Sequence, residues 1–210
     1  MRSFRSFAIV PAAGYSTRMG RPKLLLPCRG QPLILHTLAA WQASRVEKVV
    51  VVVRPGDEAL AEVVRLSGAV ALIPAVPPPD MKASVQAGLQ WVREACQPAP
   101  DDAFLVAPAD MPRLSTAVID HLLATYATLP RPQIVVPTLH GRQGHPVLLP
   151  WCLAAEVETL PAGEGLRTLV ERHAPLHVAC DDVVAPGDDP FLDLDTPQDY
   201  ARWAAQSGGK

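Results

Sequence analysis

The sequence has 210 residues, of which 49% are hydrophobic, and a formal net charge of −2. This length fits one globular domain, which we expect to span residues 1–210. The balanced charge gives no electrostatic basis for nonspecific binding to nucleic acid or to an acidic membrane surface. No stretch approaches the ~18 consecutive apolar residues of a membrane span, and no apolar signal segment follows the N-terminus. Scattered cysteines without a C-x-x-C pair predict free, mostly buried thiols in a reducing cytoplasm: Cys28, Cys96, Cys152 and Cys180.

Short apolar runs alternate with helical patterns along the chain. Asp57 and Ser115 are suited to cap the helices that follow them, and apolar residues recur at helical spacing from Met81 to Cys96. Strands are predicted at residues 7–10, 48–53, 68–73, 103–106, 134–136, 146–149, 176–179 and 191–194. Helices are predicted from Gln31–Pro32, from Asp57 to about Leu66, at 81–96, from Ser115 to about Tyr126, at 151–160, at 166–173 and from Thr196–Pro197. This alternation predicts an α/β fold with a mainly parallel sheet and helices on both faces.

The stretch between the first strand and residue 23 carries small residues, hydroxyls and the cations Arg18, Arg21 and Lys23. Small residues let backbone N–H groups approach a ligand, and glycine, present here as Gly14 and Gly20, permits the positive φ of a phosphate-cradling turn. The cationic side chains add charge for a polyphosphate. The spacing fits neither a Walker A loop nor a dinucleotide-binding fingerprint. The alternative is an ordinary strand-to-helix turn with solvated cations.

Two acidic residues occupy positions suited to a metal ligand. Asp110 follows the strand at 103–106, and Asp195 precedes the helix that begins at Thr196–Pro197. Mg²⁺ takes oxygen ligands and usually only one or two carboxylates. Each residue has a structural alternative, because Asp110 also fits a turn or cap and Asp195 also fits a helix N-cap. Asp193 would share a strand face with Asp195 and ranks below it.

Two further stretches carry candidate ligand contacts. Ser84 and the first amides of the helix predicted near residue 81 are placed to bond a ribose or base. Gly88 on the same helix has either a packing or a ligand-binding reason, because a glycine inside a helix costs about 1 kcal/mol against alanine. Lys82 either reaches a phosphate or lies in solvent. His145, in a G-x-x-G-H-P stretch, either contacts a substrate or satisfies a hydrogen bond in the core.

These stretches together resemble the molybdenum cofactor nucleotidyltransferase family. Residues 12–23 match its pattern A-[AG]-G-x-[ST]-x-R-M-G-x-x-K, and the Ala-Ala-Gly form is typical of its cytidylyltransferase branch. The A-D-M-P around Asp110, the D-L-D-T-P-x-D around Asp195 and the G-x-x-G-H-P around His145 match further motifs. Asp80 departs from the family, because a glycine usually stands there. The resemblance covers nearly the whole chain and implies a Rossmann-like single domain of the nucleotide-diphospho-sugar transferase type.

The resemblance also implies a role for each matching residue in a Mg²⁺-dependent transfer of a nucleotide. Arg18 and Lys23 would stabilise charge on the triphosphate. Asp110 and Asp195 would hold Mg²⁺. Nucleotide contacts are implied for Ala12, Ala13, Gly14, Ser84 and Gly88, and an acceptor contact for His145. The family often carries G-D-x-G-A-R before its late helix, whereas this chain has the sequence G-E-G-L-R at 163–167, which ends at Arg167 and is one residue shorter.

The activity implied is transfer of CMP from CTP to the molybdopterin-bound molybdenum cofactor, with release of pyrophosphate. Ala13 favours CTP over GTP, because its methyl group crowds a purine more than a pyrimidine, although one methyl group discriminates only modestly. A molybdoenzyme of the xanthine dehydrogenase type, or its insertion chaperone, is the implied protein partner. Three alternatives remain: transfer of GMP, transfer to a different phosphorylated small molecule, and a non-catalytic accessory protein of a molybdoenzyme.

Overall fold

The computed structural model describes residues 3–16, 19–20 and 22–205. Within these ranges the strands are β1 (Ser6–Pro11), β2 (Pro27–Cys28), β3 (Gln31–Pro32), β4 (Lys48–Val52), β5 (Val70–Leu72), β6 (Ala103–Val106), β7 (Val135–Leu139), β8 (Arg142–Gln143), β9 (Val147–Pro150) and β10 (Leu176–Ala179). The helices are α1 (Leu33–Gln42), α2 (Glu58–Leu66), α3 (Met81–Cys96), α4 (Thr116–Thr128), α5 (Ala154–Glu158), α6 (Leu166–Arg172) and α7 (Pro197–Ala205).

Eight of the described strands form one sheet, in the order β10-β7-β9-β6-β1-β4-β5, with β8 paired to β7. The pairs β1–β4, β1–β6, β4–β5 and β10–β7 are parallel. β9 runs antiparallel to both β6 and β7, and β2 and β3 form a separate small hairpin. The sheet is therefore mixed but mainly parallel, which confirms the predicted α/β class.

Both faces of the sheet are covered by helices, and β1 shows how the sequence achieves this. Successive side chains of a strand point to opposite faces. Ala8 and Val10 pack in a cluster that includes residues of α1, α2 and α4. Phe7 and Ile9 pack in a second cluster with residues of α3, α5 and α6. Because all four side chains are fully buried, β1 is the central strand on which both core layers rest.

Three local predictions are confirmed by specific contacts. Asp57 caps α2 and Ser115 caps α4, each by accepting a backbone N–H in the first turn, at 3.4 and 3.5 Å. Gly88 packs α3 closely against β1, since a Cβ at this position would lie 2.6 Å from Ile9 Cγ2. The four cysteines are free as expected, although Cys152 is exposed.

The strand predicted at residues 191–194 is wrong. No ladder forms there, and the Leu194 N–H donates to the Asp110 carbonyl oxygen at 3.2 Å. Leu192 and Leu194 bury their side chains with Trp203 of α7 instead of beside a neighbouring strand. The alternation of apolar and polar residues was therefore produced by packing against a helix.

Two predicted helices also differ from the structure. Residues 151–160 divide into a 3-10 turn over Trp151–Leu153 and the short helix α5. Gln31–Pro32 pairs with Pro27–Cys28 as β3, so α1 begins one residue later than predicted, with Pro32 as its N-cap. The proline lacks an N–H group, which the start of a helix does not need.

Candidate active site

The candidate active site lies where the sheet reverses its strand order. From β1 the chain moves to β4 and β5 on one side, and it later returns to β6 on the other side of β1. The carboxyl ends of these parallel strands meet at one edge, where open α/β sheets bind ligands. A cleft of about 520 Å³ opens there. Its lining includes these predicted site residues: Ala12, Ala13, Gly14, Lys23, Ser84, Asp110 and Asp195.

Lys23 is the centre of the site, because its ammonium joins segments that are far apart in the sequence. Nζ forms an ion pair with Asp110 and a second one with Asp195, whose Oδ1 lies at 3.1 Å. It also donates to the Leu194 carbonyl oxygen at 3.1 Å. Burial lowers the pKa of Lys23, but the charges and hydrogen bonds of Asp110 and Asp195 outweigh burial and raise the pKa above 10.5. The ammonium therefore stays charged at neutral pH.

The loop after β1 folds back so that Lys23 reaches these carboxylates. Ser16 has a positive φ of 51°, and its carbonyl oxygen accepts the N–H of Met19 at 2.9 Å. Ser16 Oγ accepts the N–H of Lys23 at 3.3 Å. The expected positive φ of a glycine in this loop is found at Gly20, with a φ of 64°, whereas Gly14 does not have a positive φ. A Cβ at Gly14 would meet nothing within 4 Å, so glycine there leaves open space in the cleft.

Asp110 is a buried carboxylate with spare capacity to bind a cation. One oxygen pairs with Lys23, whereas Oδ1 is buried and has no hydrogen-bond partner within the described ranges. An unsatisfied buried oxygen is costly, and a cation would relieve that cost. With Asp195 it supplies the one or two carboxylates that Mg²⁺ takes when phosphate oxygens complete its coordination. Among residues 3–16, 19–20 and 22–205, no cluster of three or more His, Cys, Asp or Glu side chains could hold a metal.

The cap of α7 is Thr196, so Asp195 does not serve as the N-cap. Thr196 Oγ1 accepts the N–H of Asp199 at 3.2 Å, and Asp199 Oδ2 accepts the N–H of Thr196 at 3.0 Å. This reciprocal pair is a capping box, and it leaves the Asp195 carboxylate directed to Lys23. Burial and then the charges of the two other site carboxylates raise the pKa of Asp193 above 3.8. Asp193 is therefore influenced by both site carboxylates, although it is not part of the cleft lining.

The amino end of α3 forms another wall of the cleft. Asp80 caps the helix by accepting the N–H of Ala83 at 2.7 Å, which explains why an aspartate is accommodated here. Ser84 is buried in the cleft lining, and its Oγ donates to the Asp80 carbonyl oxygen at 3.3 Å. Lys82 is not part of the lining, because its Nζ donates to the Pro161 carbonyl oxygen at 2.8 Å on the surface.

The remaining predicted residues take other positions. Gly88 is not part of the cleft lining and packs α3 on the sheet, which corrects its expected contact with the nucleotide. Arg18 lies outside the described residues. Burial lowers the pKa of His145 below 6.5, and its Nδ1 is buried without a hydrogen-bond partner in the described part of the chain. Arg167 is exposed and forms an ion pair with Glu171 at 2.9 Å.

Sequence reasoning missed Arg54 and Tyr15 at the rim of the cleft. Arg54 donates to the Gly14 carbonyl oxygen at 3.3 Å and forms an ion pair with Asp57 at 3.0 Å. The Tyr15 side chain lines the cleft, is 62% exposed, and has its ring 4.9 Å from the Arg54 guanidinium. The signal was present in the sequence, because Arg54 follows the strand that ends at Val52, at the same sheet edge as the loop.

Comparison with known sequences finds related cytidylyltransferases. A 2-C-methyl-D-erythritol 4-phosphate cytidylyltransferase of Dechloromonas aromatica is 39% identical over 140 residues, which cover 60% of this chain and 56% of that protein. The chain spans about half the length of the curated relatives that it matches. The similarity in sequence is therefore partial.

Solved structures match over nearly the full length. Rv0371c from Mycobacterium tuberculosis H37Rv has a TM-score of 0.78 and 23% identity, over 97% of this chain and 99% of that chain. Its complex with manganese has a TM-score of 0.71 and 22% identity, over 96% of this chain and 98% of that chain. A 4-diphosphocytidyl-2C-methyl-D-erythritol synthase has a TM-score of 0.73 and 19% identity, over 97% and 99% of the two chains. These likenesses show that the chain shares the fold of these proteins over nearly its full length, in agreement with the predicted α/β fold.

None of the helices that the structure describes has both the length and the hydropathy of a membrane-spanning helix.

Most of the chain also matches one protein family. Residues 8–178 match the family described as the MobA-like NTP transferase domain. The matched range contains the loop after β1, the amino end of α3 and Asp110, whereas Asp195 follows it. The chain therefore belongs to the family of MobA-like NTP transferase domains.

Proposed function

We propose that this protein transfers CMP from CTP to the phosphate group of a small molecule, with the help of a divalent cation. An acceptor phosphate oxygen forms a bond to the α-phosphorus of CTP. The bond from that phosphorus to the oxygen of the β-phosphate breaks, and pyrophosphate leaves. The observation that carries the proposal is the meeting of Asp110 and Asp195 at Lys23, beside a loop of small residues in the main cleft.

The charges of the site match the needs of this reaction. Negative charge gathers on the phosphates in the transition state, so cations placed there accelerate the transfer. Lys23 supplies one cation, and we assign the same role to Arg18. Asp110 and Asp195 would hold Mg²⁺ or Mn²⁺, which neutralises phosphate charge when it is bound. The complex of the related Rv0371c with manganese supports this choice of cofactor.

The donor nucleotide is assigned to CTP. The backbone of Ala12, Ala13 and Gly14 would contact the base, with Ser84 on the α3 side of the cleft. The Ala13 side chain is buried beside the cleft, and its methyl group leaves less room for a purine than a glycine would. One methyl group discriminates by only about 1–3 kcal/mol, so this preference is moderate. The names of the curated relatives, which are cytidylyltransferases, support the same nucleotide.

A small phosphorylated acceptor is better supported than the molybdenum cofactor. The curated relatives are named for 2-C-methyl-D-erythritol 4-phosphate, whereas molybdopterin rests on the motif resemblance alone. We place the acceptor on the side of His145. Burial lowers the pKa of this histidine, and the charges of Asp193 and Asp110 act in the opposite direction, so its ring lies near these carboxylates. Service to a molybdoenzyme would follow only if molybdopterin were the acceptor.

Pyrophosphate release by the purified protein tests this proposal. Each of CTP and GTP is combined with Mg²⁺ and, in turn, with 2-C-methyl-D-erythritol 4-phosphate or molybdopterin-bound molybdenum. We expect CTP-dependent release with the polyol phosphate, and its loss in Asp110→Asn. Asp188→Asn is the matched control, because Asp188 is an exposed carboxylate that pairs with Arg113.

Each other outcome has a defined meaning. Release with GTP alone would assign the protein to guanylyl transfer, and release with molybdopterin alone would restore that acceptor. Binding of CTP without release of pyrophosphate, whichever of the two acceptors is added, would overturn the enzymatic proposal in favour of an accessory protein.

A further inference from the structure

Gly144 and Phe191 make an unusually close contact outside the cleft lining. A Cβ at residue 144 would lie 2.1 Å from Phe191 Cγ and 2.2 Å from Cδ2, far inside the range of real contacts. Gly144 has no positive φ, so its requirement is for space and not for backbone conformation. The Gly144 N–H donates to the Pro137 carbonyl oxygen at 3.0 Å, which fixes it to β7. Phe191 therefore packs directly on the backbone that follows β8.

Two neighbouring contacts hold the same segment. The Arg142 guanidinium lies 5.7 Å from the centre of the Phe191 ring. Arg142 also donates to Asp189 Oδ1 at 2.5 Å, and that oxygen accepts the N–H of Phe191 at 3.0 Å. The β7–β8 hairpin and Gly144 therefore hold residues 189–191 by packing against Phe191 and by the charged hydrogen bond from Arg142 to Asp189.

Residues 189–191 lead directly into the active site. Three residues after Phe191, the Leu194 N–H donates to the Asp110 carbonyl oxygen at 3.2 Å, and the Leu194 carbonyl oxygen accepts from Lys23 at 3.1 Å. Asp195 comes next and completes the ion pair with Lys23. Residues 180–196 contain no helix or strand, so individual contacts fix their path: main-chain hydrogen bonds, such as that of Leu194 with Asp110, and side-chain packing, such as that of Phe191 on Gly144.

We propose that the Gly144–Phe191 contact is the anchor that positions Asp195, so that Gly144 is a positioning residue of the site. The hairpin does not contact the reacting groups itself. It acts through the backbone of residues 191–194, which carries Asp195 to its place beside Lys23 and Asp110. The link to metal and nucleotide rests on the proposed function, whereas the positioning of the segment does not.

Gly144→Ala tests the anchor, because its methyl group would collide with the Phe191 ring. Gly165→Ala is the matched control, since a Cβ there meets nothing within 4 Å and its φ is −116°. A second variant, Phe191→Ala, loosens the same contact from the other side and adds no atoms to the hairpin. Melting temperature and circular dichroism establish that each variant is folded.

Hydrogen exchange of the Leu194 amide is the first readout, and it needs neither metal nor substrate. We expect exchange to rise about tenfold in Gly144→Ala and Phe191→Ala, with β1 still protected and the control unchanged. The second readout is Mn²⁺ affinity by electron paramagnetic resonance, which should fall about tenfold or more, as when a supporting residue of a metal ligand is removed. Binding of CTP without metal should stay the same, because the loop after β1 is not altered.

The outcomes separate the two proposals. Unchanged exchange at Leu194 in both variants would overturn the anchor. Faster exchange with unchanged Mn²⁺ affinity would support the anchor and overturn the assignment of Asp195 as a metal ligand. If the wild-type protein bound no Mn²⁺, the metal site of the proposed function would fail, and the exchange result alone would decide the anchor.

Discussion

Replacing Lys23 by methionine is the most informative perturbation of the site. The ammonium pairs with both Asp110 and Asp195 in the structure. Burial, and then the charges of these two carboxylates, raise the pKa of the neighbouring Asp193. Methionine keeps most of the length of the side chain and removes its charge. Breaking a fully buried ion pair costs about 3–5 kcal/mol, whereas an exposed pair is worth about 0–1 kcal/mol.

The environment of Lys23 lies between these limits. The side chains of Lys23 and Asp110 are 15% and 12% exposed, but that of Asp195 is 40% exposed. We therefore expect Lys23→Met to lose about 2 kcal/mol of unfolding free energy in urea at neutral pH. Since the pKa of Lys23 is raised above 10.5, the stabilisation is fully present below pH 10.5 and disappears as the pH rises through the folded-state value. Turnover should fall about 100-fold or more, as expected for a group that stabilises transition-state charge.

Lys82→Met is the matched control, because it removes an ammonium that donates to the Pro161 carbonyl oxygen on the surface. Mg²⁺ provides a second comparison, since a divalent cation can replace the missing charge between the carboxylates. We expect Mg²⁺ alone to raise the melting temperature of Lys23→Met more than that of the wild type. Equal stability of the two methionine variants, with equal responses to Mg²⁺, would refute the reasoning.

Three further variants test other parts of the structure. Gly88→Ala should lower the urea midpoint of unfolding. Forcing a methyl group against Ile9 costs about 1–3 kcal/mol, which outweighs the gain in helix propensity of about 1 kcal/mol. A raised midpoint would contradict this packing. The wild type should lose stability as the pH falls below 6.5, because His145 binds a proton in the unfolded state more readily than in the folded state, where its pKa is lowered. His145→Gln should remove this part of the pH dependence. Parallel curves for the two proteins in urea, from about pH 7.5 to 5.5, would exclude this effect. Thr196→Ala should cost about 1 kcal/mol by removing half of the capping box with Asp199, and an unchanged melting temperature would argue against the cap.

Local features of the fold were predictable because they depend on neighbours in the sequence. The caps at Asp57 and Ser115 and the helix Met81–Cys96 follow from side-chain chemistry and helical spacing, and all three are confirmed. The apolar alternation at 191–194 misled the prediction, because burial against α7 produces the same pattern as burial in a sheet. A short stretch cannot distinguish these two environments.

The residues of the cleft were predictable for a different reason. Parallel strands bring their carboxyl ends to one edge, so the loop at Ala12–Gly14 and the segment at Asp110 had to be neighbours once the sheet was parallel. The pairing of Lys23 with Asp195 was not predictable from spacing, because it depends on how residues 180–196 cross the molecule without regular structure. The importance of Gly144 was hidden for the same reason, since the side chain that requires it is Phe191.

The two residues of the Lys23–Asp195 ion pair each lead into an element of the fold, and these two elements pack against each other. Lys23 leads into the β2–β3 hairpin, and Asp195 leads into α7. Trp203 of α7 packs with Leu33, at the start of the helix that follows this hairpin, and its ring meets His36 edge to face, with ring centres 5.4 Å apart. The contact of α7 with the hairpin region therefore limits how far the ammonium and the carboxylate can separate. The Gly144–Phe191 contact precedes Asp195 in the chain, and the packing of α7 follows it. Because the segment is held on both sides of Asp195, it can position this carboxylate accurately without regular secondary structure.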